Sequence, residues 1–187
     1  MTTTRELLVE AYEPFGDKVH AVAPDRWDAP TPCTDWSVRD VVNHIVAEHL
    51  WVPHLLCGET LEQVGDRYDG DVLGDDPVGA WDRASAEASA AWRGLPSDDE
   101  LVHLSFGLTP AREYAEQMLL DLTVHGWDLA RGAGLEDRMD PAAARHVLAA
   151  ARERTDALRG SGLFADPVDV ASDDPQDQLL GLLGRRP

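Results

Sequence analysis

An all-α fold, a bundle of four or five helices joined by modest connections, follows from three features of this 187-residue chain. Long segments carry apolar residues at helical spacing, Ser/Thr/Asp/Pro start signals precede them, and Gly/Pro clusters close them. The first helix runs from about Thr4 to Val22, with Leu7, Leu8, Ala11, Tyr12, Phe15 and Val19 on one side; Pro14 is expected to bend or interrupt it. An extended stretch, Pro24 to Trp36, follows and holds Trp27, Pro30, Pro32 and Cys33. Ser37-Val-Arg-Asp40 then reads as a capping box opening a second helix to about Leu56, with a kink near Pro53.

Gly58 to Asp76 reads as a mobile, solvated loop, with four Gly and seven acidic residues and little periodicity. Pro77 suits a first helical position, and the third helix passes Trp81 and Trp92 before Gly94 and Pro96 end it. Leu101 to Phe106 alternates and predicts a short extended segment. Thr109 as N-cap and Pro110 as first residue open the next helix, closed by Gly132 and Gly134. Asp140-Pro141 starts a last long helix ending at Gly160, and a short apolar helix, Gln178 to Leu183, lies in the tail. The length suits a single domain over residues 1–187.

Hydrophobic content of 43% and charged content of 27% are those of an ordinary globular protein. No apolar run approaches bilayer-spanning length and Met-Thr-Thr-Thr-Arg-Glu lacks a signal-peptide core, which makes a cytoplasmic location the expectation. A formal net charge of −19 opposes binding to nucleic-acid backbones and anionic membranes. Cys33 and Cys57 have no motif spacing and read as structural thiols. Trp27, Trp51, Trp81 and Trp92 are assigned to core packing in preference to an exposed patch.

The chemistry concentrates in Asp121-Leu-Thr-Val-His125-Gly-Trp-Asp128-Leu-Ala. Asp121 and His125 are four residues apart, so a helix projects both from one face, and Gln117 and Glu113 extend the row. A polar row in so apolar a helix requires partners. The second helix offers a matching row, Asp40, His44 and Glu48. If the two faces meet, His44, Asp121 and His125 form a two-imidazole, one-carboxylate set with open coordination positions. Catalytic zinc and non-haem iron both use such sets, and nickel also accepts it. Glu48 could replace Asp121 as ligand, being one turn from His44.

Asp128 could orient the free ring nitrogen of His125, or face solvent at the helix end. Asn43 and Gln117 either line the pocket or make core polar bonds. His20, His49, His54, His103 and His146 lack matching partners and are expected at the surface or pocket rim. Arg39 and Arg112 are weaker candidates for anion contacts, against ordinary surface ion pairs.

Trp36-Ser-Val-Arg-Asp-Val-Val-Asn-His44 followed by Asp121-x-x-x-His125-Gly-Trp-Asp-Leu-Ala resembles the DinB/YfiT-like metalloenzyme superfamily. More narrowly, it resembles the actinobacterial branch that shares the metal-binding domain of mycothiol-dependent maleylpyruvate isomerase. The closing Pro175-Gln-Asp-Gln-Leu-Leu-Gly-Leu-Leu-Gly-Arg-Arg-Pro187 resembles an uncharacterised group within that branch. The resemblance implies a DinB-like four-helix bundle, here with an extra short C-terminal helix, and a metal triad at His44, Asp121 and His125. Asp121 stands where the isomerase branch typically has Glu and the YfiT-like branch His.

The resemblance also implies mycothiol as a cosubstrate, with a divalent metal, zinc foremost, that depresses the thiol pKa for attack on an unsaturated or electrophilic small molecule. The expected activity is thus S-transfer or isomerisation. A non-catalytic metal-binding bundle (sensor or carrier) and a metal-dependent hydrolase using bound hydroxide are the alternatives. A homodimer is the candidate assembly.

Overall fold

The computed structural model describes residues 2–155 and 164–187. Its elements in chain order are α1 (Thr4–Ala21), α2 (Val38–Leu56), α3 (Leu61–Val64), α4 (Pro77–Gly94), β1 (Leu101–Leu104), β2 (Gly107–Pro110), α5 (Ala111–Ala133), α6 (Pro141–Glu153) and α7 (Pro175–Leu182). Helices α1, α2, α4 and α5 form the bundle: α1 packs on α5 and α4, and α2 on the same two. The architecture is all-α, a DinB-like four-helix bundle with a short C-terminal helix; α6 lies against α5 and α7 against α6. The expected end of the long helix at Gly160 lies outside the described residues. Among them, no helix is long and apolar enough to cross a membrane.

Each bundle helix has a local reason to begin where it does. Thr3 and Glu6 close a capping box on α1, and Ser37 with Asp40 closes the expected one on α2. Asp76 caps α4 with Pro77 at the first position. Helix α1 runs unbroken through Pro14, contrary to a possible interruption. Pro14 and Glu10 are both exposed, so the Glu10 carbonyl that loses its partner can meet water.

The start of α5 differs from the expectation. Thr109 lies in β2, its hydroxyl donating to the Gly107 carbonyl, and Pro110 is the N-cap with no side-chain bond. The first amides are instead taken by backbone: Ala111 N–H donates to Glu100 O at 2.8 Å and Arg112 N–H to Asp98 O at 2.9 Å. The extended segment at Leu101 is half of an antiparallel hairpin, Leu101 facing Pro110. The tail helix starts earlier than expected, because Asp174 caps it and Pro175 occupies its first position.

Two connections also differ. Pro24–Trp36 is a chain of turns with one bridge, Pro30 to Ser37, in place of an extended run. Its three prolines lack the donors a strand needs, and it closes on local bonds such as Trp36 N–H to Cys33 O. This segment also satisfies α2: Val38 N–H donates to Ala29 O at 2.9 Å and Arg39 N–H to Trp27 O at 2.8 Å. The acidic Gly58–Asp76 connection contains α3 and is pinned to α2. Asn43 donates to Gly70 O at 2.9 Å and accepts from Val72 N–H at 2.9 Å, and Arg39 bonds Asp71 and Gly74 O.

The core holds Trp81, Trp92 and Trp127 with Phe15, Leu8, Ile45, Met118 and Leu119. Trp27 and Trp51 pack on its edge, so the tryptophans form no exposed patch. His49 corrects its assignment to the rim: it is fully buried between Tyr12 and Trp81. Its Nδ1 bonds the Ile45 carbonyl of its own helix at 2.6 Å, which makes a buried imidazole tolerable.

Candidate metal centre

Helix α2 brings His44 and α5 brings Asp121 and His125 to one place on the bundle wall. A ligand atom from each lies within 4.8 Å of the other two, a set that could hold a metal ion. His44 Nε2 is 3.5 Å from Asp121 Oδ2, with the two side chains 28% and 29% exposed, so the set is reachable from solvent. His125 is buried at 8% exposure. The two imidazoles meet edge to face with centroids 5.2 Å apart.

Trp36 closes one side. Its indole stacks on His125, centroids 5.5 Å apart and planes 25° from parallel, and contacts His44 at 5.0 Å. The turn that delivers it contains Asp35 at φ 67°, a left-handed conformation that Asp tolerates better than most side chains. Gly132 lets this turn seat on α5: a Cβ there would come within 2.7 Å of Thr31 Cγ2 and 2.8 Å of Val38 Cγ2.

Asp128 takes the orienting position. Its Oδ2 lies 3.0 Å from His125 Nδ1, and an ionised carboxylate only accepts, so Nδ1 carries the proton and Nε2 is left for another partner. Asp128 is itself fully buried and paired with Arg185, Nη2 to Oδ2 at 2.7 Å and Nε to Oδ1 at 3.0 Å. Burial opposes its charge, but the bonds from His125 and Arg185 outweigh burial and hold its pKa below the usual carboxylate range.

The electrostatics at the triad run the same way. Burial disfavours the charged form of His44, yet the Asp121 carboxylate, with Glu48 adding to it, raises its pKa. Burial likewise opposes charge on Asp121, and His44 and His125 lower its pKa nonetheless. Glu48 is pushed up, first by burial and then by the Asp121 charge. Its carboxylate lies outside the three-residue set, while Gln117 lines a small cleft between α5 and α6 with Leu120, Val147 and Arg154.

A second trio, Cys33, His125 and Asp128, shares His125 and is equally close-set. There Asp128 is already taken by the Arg185 guanidinium, and burial followed by the Asp128 charge pushes the Cys33 thiol pKa up. Cys33 is therefore no activated nucleophile. Of the other histidines, His20 pairs with Asp82, His54 with Glu59 and Tyr68, and His146 with Glu116. Arg39 and Arg112 are engaged by Asp71 and Asp99, not held free for an anion.

Neither Arg185 nor the Trp36 wall is evident from the sequence. A signal exists for Arg185: an acidic residue inside the apolar run Trp127-Asp-Leu-Ala needs a cation, and this chain's cations are almost all Arg.

Residues 8–130 match the model of the mycothiol maleylpyruvate isomerase N-terminal domain, a stretch that includes α2, α4, nearly all of α5 and the whole triad. The chain belongs to this family. Two uncharacterised proteins from strains of Mycobacterium tuberculosis are each 29% identical to this family member over 182 residues, covering 94% of it and 93% of the relative. The crystal structure of a mutant mycothiol-dependent maleylpyruvate isomerase has the same fold, with TM-score 0.61 and 18% identity over 87% of this chain and 75% of that one. The DinB-like bundle and the actinobacterial branch are thus those of the mycothiol maleylpyruvate isomerase N-terminal domain family.

Proposed function

We propose that this family member binds one divalent metal ion through His44, Asp121 and His125, and uses it with a small-molecule thiol, mycothiol, in S-transfer to or isomerisation of an electrophilic small molecule. The observation that carries this reading is the convergence of the three donors within 4.8 Å at a solvent-reachable position, in a chain of this family. The donor set fits the ion. His125 has its Nδ1 engaged by Asp128 and Nε2 left over, and Asp121 is favoured as the carboxylate. Zinc suits two imidazoles and a carboxylate, as do nickel and iron.

When bound, such an ion supplies a Lewis acid that lowers the pKa of a coordinated thiol. The protein's own groups supply the rest. Asp128 fixes the His125 ring, and Trp36 shields one side of both imidazoles from water. Glu48, one turn along α2 from His44, has its carboxyl pKa raised, first by burial and then by the Asp121 charge, and is the proposed proton donor or acceptor. The large net negative charge argues against nucleic-acid or anionic-membrane partners.

The test is elemental analysis of tag-free protein purified without chelators, comparing wild type with His44→Ala, Asp121→Ala and His125→Ala. About one equivalent of metal, lost in the histidine variants, is expected, followed by metal-dependent consumption of mycothiol with electrophilic acceptors. Wild type that stays metal-free after zinc or nickel is added would refute the reading. Metal with no turnover of any thiol and acceptor would leave a non-catalytic metal-binding bundle.

A further inference from the structure

We propose that Arg185, from the C-terminal tail, is a positioning residue for the metal centre: its guanidinium clamps Asp128 so that His125 keeps its Nδ1 proton and presents Nε2 to His44 and Asp121. This rests on the metal-site reading above. The clamp is buried, with Arg185 at 9% exposure and Asp128 at 0%. Nε lies 3.0 Å from Oδ1 and 3.3 Å from Oδ2, Nη2 lies 2.7 Å from Oδ2, and Nη1 donates to Leu183 O at 3.2 Å. Both carboxylate oxygens are thereby engaged in a forked pair that Arg forms and Lys does not.

The geometry that delivers Arg185 is built into the tail. Gly184 turns the chain at φ 78°, and a Cβ there would lie 2.7 Å from Ala165 Cβ and 2.8 Å from its carbonyl oxygen. The Phe164 ring lies 5.9 Å below the guanidinium. Helix α7 is tied to the connection between α5 and α6 by Gln176, which accepts from Met139 N–H at 2.8 Å.

The clamp has two consequences for His125. Without the guanidinium, Asp128 loses its three bonds from Arg185 and is free to turn away from His125 Nδ1. A His125 ring released from Asp128 has no bond that selects its Nδ1–H tautomer, and a proton on Nε2 blocks the nitrogen needed for metal. Arg185 also engages both Asp128 oxygens, so of the two trios that share His125 it leaves the one with His44 and Asp121.

The experiment uses full-length protein with 15N-labelled histidine. In metal-free wild type, the His125 ring is expected in the Nδ1–H form; in Arg185→Gln it shifts to a mixture containing Nε2–H, and Arg185→Lys lies between. Zinc affinity, measured by chelator competition, should follow the same order, about tenfold weaker in Arg185→Gln. A purely structural salt bridge would change the melting temperature without moving the tautomer.

Wild-type His125 in the Nε2–H form, or a Gln variant with tautomer and zinc affinity both unchanged, overturns the clamp. If Arg185→Gln does not fold by circular dichroism, Arg185→Lys decides: weaker zinc binding in a folded protein supports the clamp, and unaltered binding overturns it. A tautomer that follows Arg185 in a protein that binds no zinc at all would defeat the metal reading and leave the clamp standing.

Discussion

His44 Nε2 and Asp121 Oδ2 face each other across the α2–α5 contact at 3.5 Å, longer than a strong charge-assisted hydrogen bond of about 2.8 Å. In the metal-free protein a proton on His44 is stabilised by this carboxylate against the opposing effect of burial. Metal and proton therefore compete for one nitrogen. Zinc affinity should fall as pH drops through a His44 pKa above the ordinary value of about 6.5. In Asp121→Asn the His44 pKa should move down, since burial then loses its main opponent, while zinc affinity falls at every pH. Proton NMR titration of the His44 ring and zinc competition from pH 8 to 5.5 check both; an Asn variant whose His44 titrates as in wild type contradicts the pairing.

Gly132 joins the turn carrying Trp36 to α5. In Gly132→Ala the new methyl would press on Thr31 and Val38, with the Pro30 carbonyl 3.2 Å away. Overpacking of this kind costs about 1–3 kcal/mol, which outweighs the roughly 1 kcal/mol that Ala gains over Gly within a helix. The variant should melt lower than wild type and bind zinc more weakly, because Trp36 is displaced from His125 and His44 together. A variant as stable as wild type would mean the turn yields without strain.

Asn43, beside His44 on α2, ties down the acidic connection by two bonds to Gly70 and Val72. Asn43→Ala should cost about 1–2 kcal/mol, at roughly 1 kcal/mol per bond. The sharper sign is local: hydrogen exchange at Val72 N–H should accelerate while amides in the middle of α2 stay protected at low denaturant. Uniform acceleration across both would place the loop and the bundle in one cooperative unit.

The helices are legible in the sequence because periodicity and capping agree: Ser37 and Asp40 declare the start of α2 locally, and four-residue spacing aligns Asp121 with His125. The rows on α2 and α5 can be matched as partners because each is polar in an otherwise apolar helix, and the structure brings them together. What escapes is non-local. Arg185 meets Asp128 across 57 residues of sequence, through a tail whose path depends on Gly184 and Ala165. Thr109 resembles an N-cap because its spacing to α5 is right, but the hairpin claims it first. Gly58–Asp76 reads as solvated because its anchors, Arg39 and Asn43, belong to another element.

His49 also departs from its sequence-based placement, and its burial has a consequence for acid stability. Burial lowers its pKa to about 4, against the partial support of the Ile45 carbonyl, whereas an unfolded chain protonates histidine near pH 6.5. Between those values the unfolded state binds the extra proton, so this residue removes stability as pH falls from about 6.5 to 4. The loss from pH 7 to pH 5 is about 2 kcal/mol, because each pH step of one between the two pKa values costs about 1.4 kcal/mol. His44 works the other way, since its raised pKa contributes stability below pH 6.5 that is lost as pH rises through the folded value. The comparison with His49→Phe isolates His49. His49 Nε2 has no partner among the described residues, so the aromatic replacement removes a buried polar atom and should fold at pH 7. Urea unfolding of the metal-free proteins at pH 7 and 5 should show wild type losing more stability than the Phe variant by about 2 kcal/mol. Equal losses would mean that His49 gains a partner on protonation and that the Tyr12 and Trp81 packing around it opens in acid.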